Sequence, residues 1–422
     1  MRRSRFLCIS LFVFVASFSS SLWAQGGGAV DERFRVLEER IRALEAEVQS
    51  LKAAVPTEGA AAAPAPAVPT PAAQAPAPEA LQLPTPSLPV YGGAASLSKA
   101  LNPDIGVIGN FLGATGRNQV NPFPSLSLSE SEVSLQAIVD PYARADFFLA
   151  IGEEGIEVEE GYITFPALPG NFLLKGGRMR ANFGKSNAFH NHSLPWIDRP
   201  LVAFNLMGGS LEEADMGIKD AGLSLSRILP APVFLEATAE LYRGDSGSLF
   251  QASRRSDVSS VFHLRGYHDL SESTNLEIGG SYARGHNDVG SDFLTHLAGL
   301  DATLRWKPLR RAIYHSFVAR SEFVWSRREE EDGTQRAFGF FASAEYQFAR
   351  RWFGGARFDW SERARDPNAH DNATSVVLTY WPSEFSQIRG QLRRTKYAEG
   401  NTANEFLFQF LFTLGAHGAH PF

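Results

Sequence analysis

From about Asp104 to Leu414 the chain is a succession of short segments in which apolar and polar side chains alternate. Trp352, Ala356, Phe358 and Trp360 share one parity, and Arg357 and Asp359 the other. Phe338, Phe340, Ala342, Ala344, Tyr346 and Phe348 oppose Ser343, Glu345 and Gln347; Ile388 and Leu392 oppose Arg389, Gln391 and Arg393. Successive side chains of a strand point to opposite faces, so each segment is a two-faced strand. About sixteen such segments can be counted, each near the roughly ten residues that a tilted strand needs to cross a bilayer. The pattern predicts an all-β fold, a closed antiparallel transmembrane β-barrel of about 16 strands over residues 101–414. Closure matters because lipid offers no hydrogen bonds to a free sheet edge. A soluble sandwich would alternate too, but with its polar face outward. Aromatic residues at strand ends (Trp306, Trp325, Tyr346, Trp352, Trp381) favour the membrane, where such rings sit at the interfaces.

Turn chemistry gives the topology. Brief turns are expected at Asp140-Pro141, Leu168-Pro169-Gly170, Leu229-Pro230-Ala231-Pro232, Lys307-Pro308-Leu309, Ala349-Arg350 and Pro382-Ser383-Glu384, each after an even-numbered strand. Longer polar connections are expected after odd-numbered strands, at Gly113–Pro124, Gly184–Ala214, Gly244–Asp257 and Arg363–Asp371. Outer-membrane barrels place short turns in the periplasm and long loops outside. An even strand count then returns both barrel ends to the periplasm.

The segment before the barrel reads differently. Arg2, Arg3 and Arg5 precede the apolar run Phe6 to Val15 and the small residues Ala16 to Ser21, so residues 1–24 have the form of a secretory signal peptide. In residues 25–55, Phe34, Leu37, Ile41, Leu44, Val48, Leu51 and Val55 alternate spacings of three and four, the seam of a short periplasmic coiled-coil helix. An amphipathic helix docked elsewhere would show the same seam. Residues 56–100 form a Pro/Ala-rich linker that cannot bury a core and behaves as an extended spacer. Residues 415–422 are expected to be a periplasmic tail.

Composition narrows the chemistry. The only cysteine, Cys8, lies inside the signal segment, which leaves the mature chain without thiol or disulfide chemistry. A net charge of -6 argues against a nucleic-acid partner. A mean hydropathy of -0.16 argues against a bundle of membrane helices. No local signature marks a serine or histidine as part of a nucleophilic site.

Several stretches resemble the phosphate-selective porin O/P family of Gram-negative outer membranes. They are Asn102-Pro103-Asp104-Ile105-Gly106-Val107-Ile108-Gly109, then Gly177-Arg178-Met179-Arg180-Ala181-Asn182-Phe183-Gly184-Lys185 with His190 to Pro200, and the closing Phe406 to Phe412. The resemblance implies a sixteen-stranded trimeric channel with one loop folded into the lumen. Solute choice is not inherited with a fold, and no individual phosphate-binding residue carries over.

Candidate site residues follow from parity. Arg144, Arg178, Arg180, Arg265, Arg305, Arg320, Arg357, Arg389 and Arg393 are expected to line the pore. Guanidinium forks suit phosphate and carboxylate, and a ring of them biases a pore toward anions. Glu130, Glu132, Asp146, Glu160, Glu236, Asp301, Glu322, Glu345 and Asp359 share that inward face, so pairing across the wall competes with ion selection. The long Gly184–Ala214 segment is the candidate constriction, with Lys185, Trp196, Asp198 and Arg199 as its working residues. His190 and His192, two apart, could chelate zinc or copper if the loop bends, but no third ligand lies nearby in sequence; the alternative is a pair of hydrogen-bonded loop histidines. His417 and His420 lie in the tail. No catalytic residue, cofactor or resident metal is expected.

These readings converge on an outer-membrane porin that passes small hydrophilic or anionic solutes by passive diffusion. Its expected partners are outer-membrane lipid and two further copies of itself, in a homotrimer. The competing readings are a cell-wall tether through the coiled coil and a channel connected with divalent metals.

Overall fold

A computed structural model of the chain describes residues 103–415, apart from 153–154 and 210–215. The signal segment, coiled coil, linker, and the tail beyond residue 415 with His417 and His420 lie outside the described residues.

Alternation along the chain becomes a cylinder wall. The strands are β1 (Asp104–Arg117), β2 (Leu126–Asp140), β3 (Ala143–Gly152), β4 (Gly155–Leu168), β5 (Phe172–Arg180), β6 (Lys219–Ile228) and β7 (Phe234–Tyr242). After a short pair, β8 (Asp245–Ser246) and β9 (Phe250–Gln251), come β10 (Ser259–Ser271), β11 (Thr274–Asn287), β12 (Gly290–Trp306) and β13 (Ser316–Glu330). The last are β14 (Gly333–Ala349), β15 (Trp352–Arg363), β16 (Asp366–Ser383), β17 (Ser386–Lys396) and β18 (Thr402–Gly415). All except β8 and β9 form one closed barrel of sixteen strands, each antiparallel to its sequence neighbours. β1 and β18 make the seam, with Val107 opposite Leu414 and Asn110 opposite Leu411. Phe408 and Phe412 on β18 need flat ground there. A Cβ on Gly113 or Gly109 would stand 2.1 Å from their ring atoms, so glycine on β1 lets the rings lie against the neighbouring backbone.

The two faces differ as alternation requires. Leu392 is 61% exposed and Val376 56%, whereas Gln391 and Asp359 are fully buried. Phe338, Phe340, Phe358 and Trp360 stack along the outer side of β14 and β15. An apolar exterior around polar interior positions is stable only where the surroundings are lipid.

Connections depart from expectation in four places. Between β12 and β13, the brief turn expected at Lys307-Pro308-Leu309 is a longer connection that runs from Lys307 to His315. The Arg363–Asp371 segment is no long loop: β15 pairs with β16 up to Arg363 opposite Asp366, leaving a tight turn. Its polar residues continue the ladder, where pairing and not apolarity sustains the strand. Likewise β1 runs to Arg117, which shortens the first loop. A brief turn at Glu272-Ser273 joins β10 to β11 without Pro or Gly to announce it. Two connections remain long among the described residues: one from Ala181 to Ile218, and one between β7 and β10 that holds β8 and β9.

Candidate functional site

The chain leaves β5 at Arg180 and turns into the lumen. Gly184, at φ 59, makes that turn; any Cβ there would strike the Glu322 carboxylate at 2.2 Å. Wall carboxylates then take up the loop's backbone donors. Glu240 accepts hydrogen bonds from the Asn182 backbone and side-chain nitrogens at 2.9 and 2.7 Å. Glu322 Oε2 accepts from the Lys185 and Ser186 N–H groups and from the Ser186 hydroxyl at 3.1, 2.9 and 2.9 Å. Both acids sit on inward positions of the wall, on β7 and β13.

Apolar packing holds the middle of the loop. Phe183, Leu194, Trp196, Val202, Leu206 and Met207 are buried against Val261, Ala283, Leu297, Val324 and Phe341, inward residues of β10 to β14. Trp196 meets Phe341 edge-on at 5.2 Å between ring centres. A short 3-10 turn (Asn191–Ser193) and the helix α1 (Leu201–Leu206) keep the loop compact. Each such fully buried side chain contributes roughly 1.5–3 kcal/mol, so the loop is a packed core inside the barrel.

On the β15–β17 side the loop meets cations. Asp198 Oδ2 accepts from Arg357 at 2.8 Å and from Arg393 at 2.9 Å, and its Oδ1 accepts from Gln391. Arg357 also pairs with Asp359 at 2.7 Å, and Arg393 with Glu405 at 2.7 Å. Arg389 donates to the carbonyls of Leu194 and Trp196 at 2.8 and 3.2 Å and to Gln409 at 2.9 Å. The Arg357 guanidinium also lies 4.9 Å from the Trp196 ring centre. Burial raises the Asp198 carboxyl, but the two guanidiniums outweigh it and hold it at about 2. These three arginines are therefore not open pore lining: they are buried and clamp the loop.

On the β2–β4 side the loop meets acids. A β-bulge in β4 pairs Phe148 with Glu160 and Leu149 with Val158, leaving Glu159 as an extra residue. Glu159 and Glu160 therefore both reach the interior, beside Glu130 and Glu132 of β2, and all four are buried. His190 enters this group with Nδ1 2.5 Å from Glu132 and Nε2 2.7 Å from Glu160. Burial opposes a charged imidazole at His190, but these hydrogen bonds and the Glu159 charge prevail and raise it to about 10. Arg180 pairs with Glu159 at 2.9 Å. Arg199 turns from the lumen and donates to the Ser186 and Phe189 carbonyls and to Asn191, locking the loop onto itself.

The remaining candidates divide. Arg144 pairs with Asp146 at 2.7 Å and Arg265 with Glu236 at 2.9 Å on the inner wall. The register sets Arg178 opposite Gly161 and Ala221, out of phase with Lys175, Gly177 and Met179, and it pairs with Glu157 at 3.2 Å. Lys185 and Arg305 share Glu277 at 2.7 and 3.1 Å. Below the loop lies a cavity of about 330 Å³, lined by Lys185, Arg305, Arg320 and Arg389 with Glu345 and Glu384 as the opposing acids. Arg320 makes no ion pair among the described residues. Parity missed Glu159, whose bulge breaks the alternation; Gln391, Glu405 and Gln409 have the inward parity, but their contacts appear only once the loop and its arginine partners are in place.

No protein-family model matches the chain. It is 28% identical over 351 residues to an uncharacterized protein of Aquifex aeolicus, covering 74% of this chain and 73% of that one. Among solved structures it resembles Pseudomonas putida OprB, with a TM-score of 0.55 and 10% identity over 76% of this chain and 97% of the other. It also resembles an anion-selective porin from Comamonas acidovorans, with a TM-score of 0.51 and 10% identity over 74% and 98%. At such identities the likeness is one of fold: the chain has a porin-type barrel.

Proposed function

We propose that the chain is an outer-membrane porin that passes small hydrophilic solutes by passive diffusion and prefers anions. It carries out no catalysis and assembles as a homotrimer, with its N-terminal coiled coil in the periplasm. The observation that carries the ion preference is the cavity beneath the loop, where four cationic side chains face two carboxylates. Most wall charges cancel in pairs and cannot select an ion. Of the cavity's arginines, Arg305 is paired with Glu277 and Arg389 is committed to carbonyl and amide oxygens; Arg320 makes no ion pair among the described residues, and a guanidinium in that state attracts passing phosphate or carboxylate groups. The loop supplies the narrowing that brings solute within reach of that charge.

Planar-bilayer recording of the full chain in a salt gradient tests this. The reversal potential is expected to report anion preference in chloride and in phosphate. Arg320→Glu is expected to lower the anion-to-cation permeability ratio several-fold while leaving the barrel intact. A protein that forms no ion-permeable channel at high load ends the porin reading. A reversal potential unmoved by Arg320→Glu removes the anion site and leaves a general pore.

A further inference from the structure

The acidic side of the loop has the makings of a metal site. The donor atoms of Glu132, His190 and His192 all lie within 4.8 Å of one another, and so do those of Glu130, Glu132 and Glu159. Glu132 belongs to both groups. We propose that Glu132, Glu159, His190 and His192 bind one divalent transition-metal ion of the zinc type, which fastens the loop to β2 and β4.

Three observations carry this. First, the donors are mixed nitrogen and oxygen, which is what zinc takes, at roughly 2.0–2.2 Å. Donors at that radius in a tetrahedron stand roughly 3.3 Å apart. His190 Nδ1 lies 3.3 Å from Glu159 Oε2, and His192 Nδ1 lies 3.7 Å from Glu132 Oε2. Of these three spacings, the Glu132–His190 hydrogen bond, at 2.5 Å, is the one that must open. Second, Oε1 of Glu132 is buried and accepts no hydrogen bond among the described residues. A buried carboxylate oxygen in that state is costly unless a cation or water satisfies it. Third, His190 Nε2 already holds Glu160 at 2.7 Å. With Nδ1 on a metal, that contact becomes the carboxylate–histidine–metal relay that orients an imidazole ligand and strengthens its donor nitrogen.

The test uses the full chain folded in detergent, stripped with chelator and dialysed against zinc. A His417→Ala/His420→Ala background removes the tail histidines as a second chelator. The expected result is one tightly held zinc per chain, and with cobalt(II) the visible absorption of a tetrahedral site. His192→Asn is expected to abolish both signals. Glu160→Gln is expected to weaken binding by about 10–100-fold without abolishing it, since it touches only the orienting partner. A heat-shift gel confirms that each variant is a folded barrel. No bound zinc in the folded background protein overturns the proposal, and so does binding that His192→Asn leaves unchanged. Because the unsubstituted donor set gives its own spectrum, a variant that failed to fold would not remove the test. The readout is independent of conductance, so it can fail while the channel reading stands.

Discussion

The two sides of the barrel interior hold one loop by opposite means. On β15 and β17, a single carboxylate, Asp198, sits between Arg357 and Arg393, and each arginine has a second acid of its own. On β2 and β4, four carboxylates crowd around two imidazoles and one guanidinium, and two carboxylate oxygens, on Glu132 and Glu159, accept no hydrogen bond among the described residues. Around Asp198 the basic side is a closed network in which each charge answers another, and Arg389 beside it is satisfied by carbonyl and amide oxygens. The acidic side is open, and its stability depends on what else enters. Fully satisfied buried networks rigidify a structure, and partly satisfied ones are where it can still be changed.

Substitutions can break this contrast. The largest effect is expected from Asp198→Ala, which leaves two buried guanidiniums without their shared acid. Removing one partner of a buried ion pair costs about 3–5 kcal/mol, so thermal unfolding in detergent should shift down sharply and single-channel current should become larger and noisier as the loop loosens. A smaller effect is expected from Glu132→Gln in the chelator-treated protein. It removes a hydrogen-bond acceptor but also relieves repulsion among carboxylates, so its cost should stay near the roughly 1–3 kcal/mol of one disturbed buried polar group. Equal melting shifts for the two variants would erase the distinction between the sides. The smallest effect is expected from acid. Asp198 is held at about 2, below the roughly 3.9 of a free aspartate. Its contribution is therefore complete above the unfolded value and is lost as pH falls through about 2. The clamp's share of stability should be the same at pH 7 and pH 5, measured as the difference in melting temperature between the unsubstituted chain and Asp198→Ala at the two values.

Much of this was legible in the chain because a barrel wall has period two. Arg357 and Asp359 fall inward and Phe358 outward, as alternation requires. The pattern faded where its physical cause did. At Arg363–Asp371 the strands outrun the apolar band, so polar residues that read as a loop are still paired. At Glu159 an extra residue breaks the parity, and no spacing rule finds it. The meeting of Glu132 with His190 could not be read locally at all. The two are 58 residues apart in sequence and come together only when the loop folds back into the lumen. For the same reason, Arg357, Arg389 and Arg393 have the right parity for pore lining yet are covered by a segment whose path parity does not describe.

The seam between β1 and β18 has a kinetic consequence. Every other ladder in the cylinder joins strands consecutive along the wall, most of them across a short turn from which they can zip. The seam alone must bring together residues some three hundred positions apart, as in Asn110 with Leu411, and the entropy of ring closure falls on that one ladder. The sheet can therefore be nearly complete and still unsealed. Until the last ladder forms, its two borders are the most adhesive part of the molecule, and whatever shields them on the way to the bilayer governs whether the chain inserts or clumps.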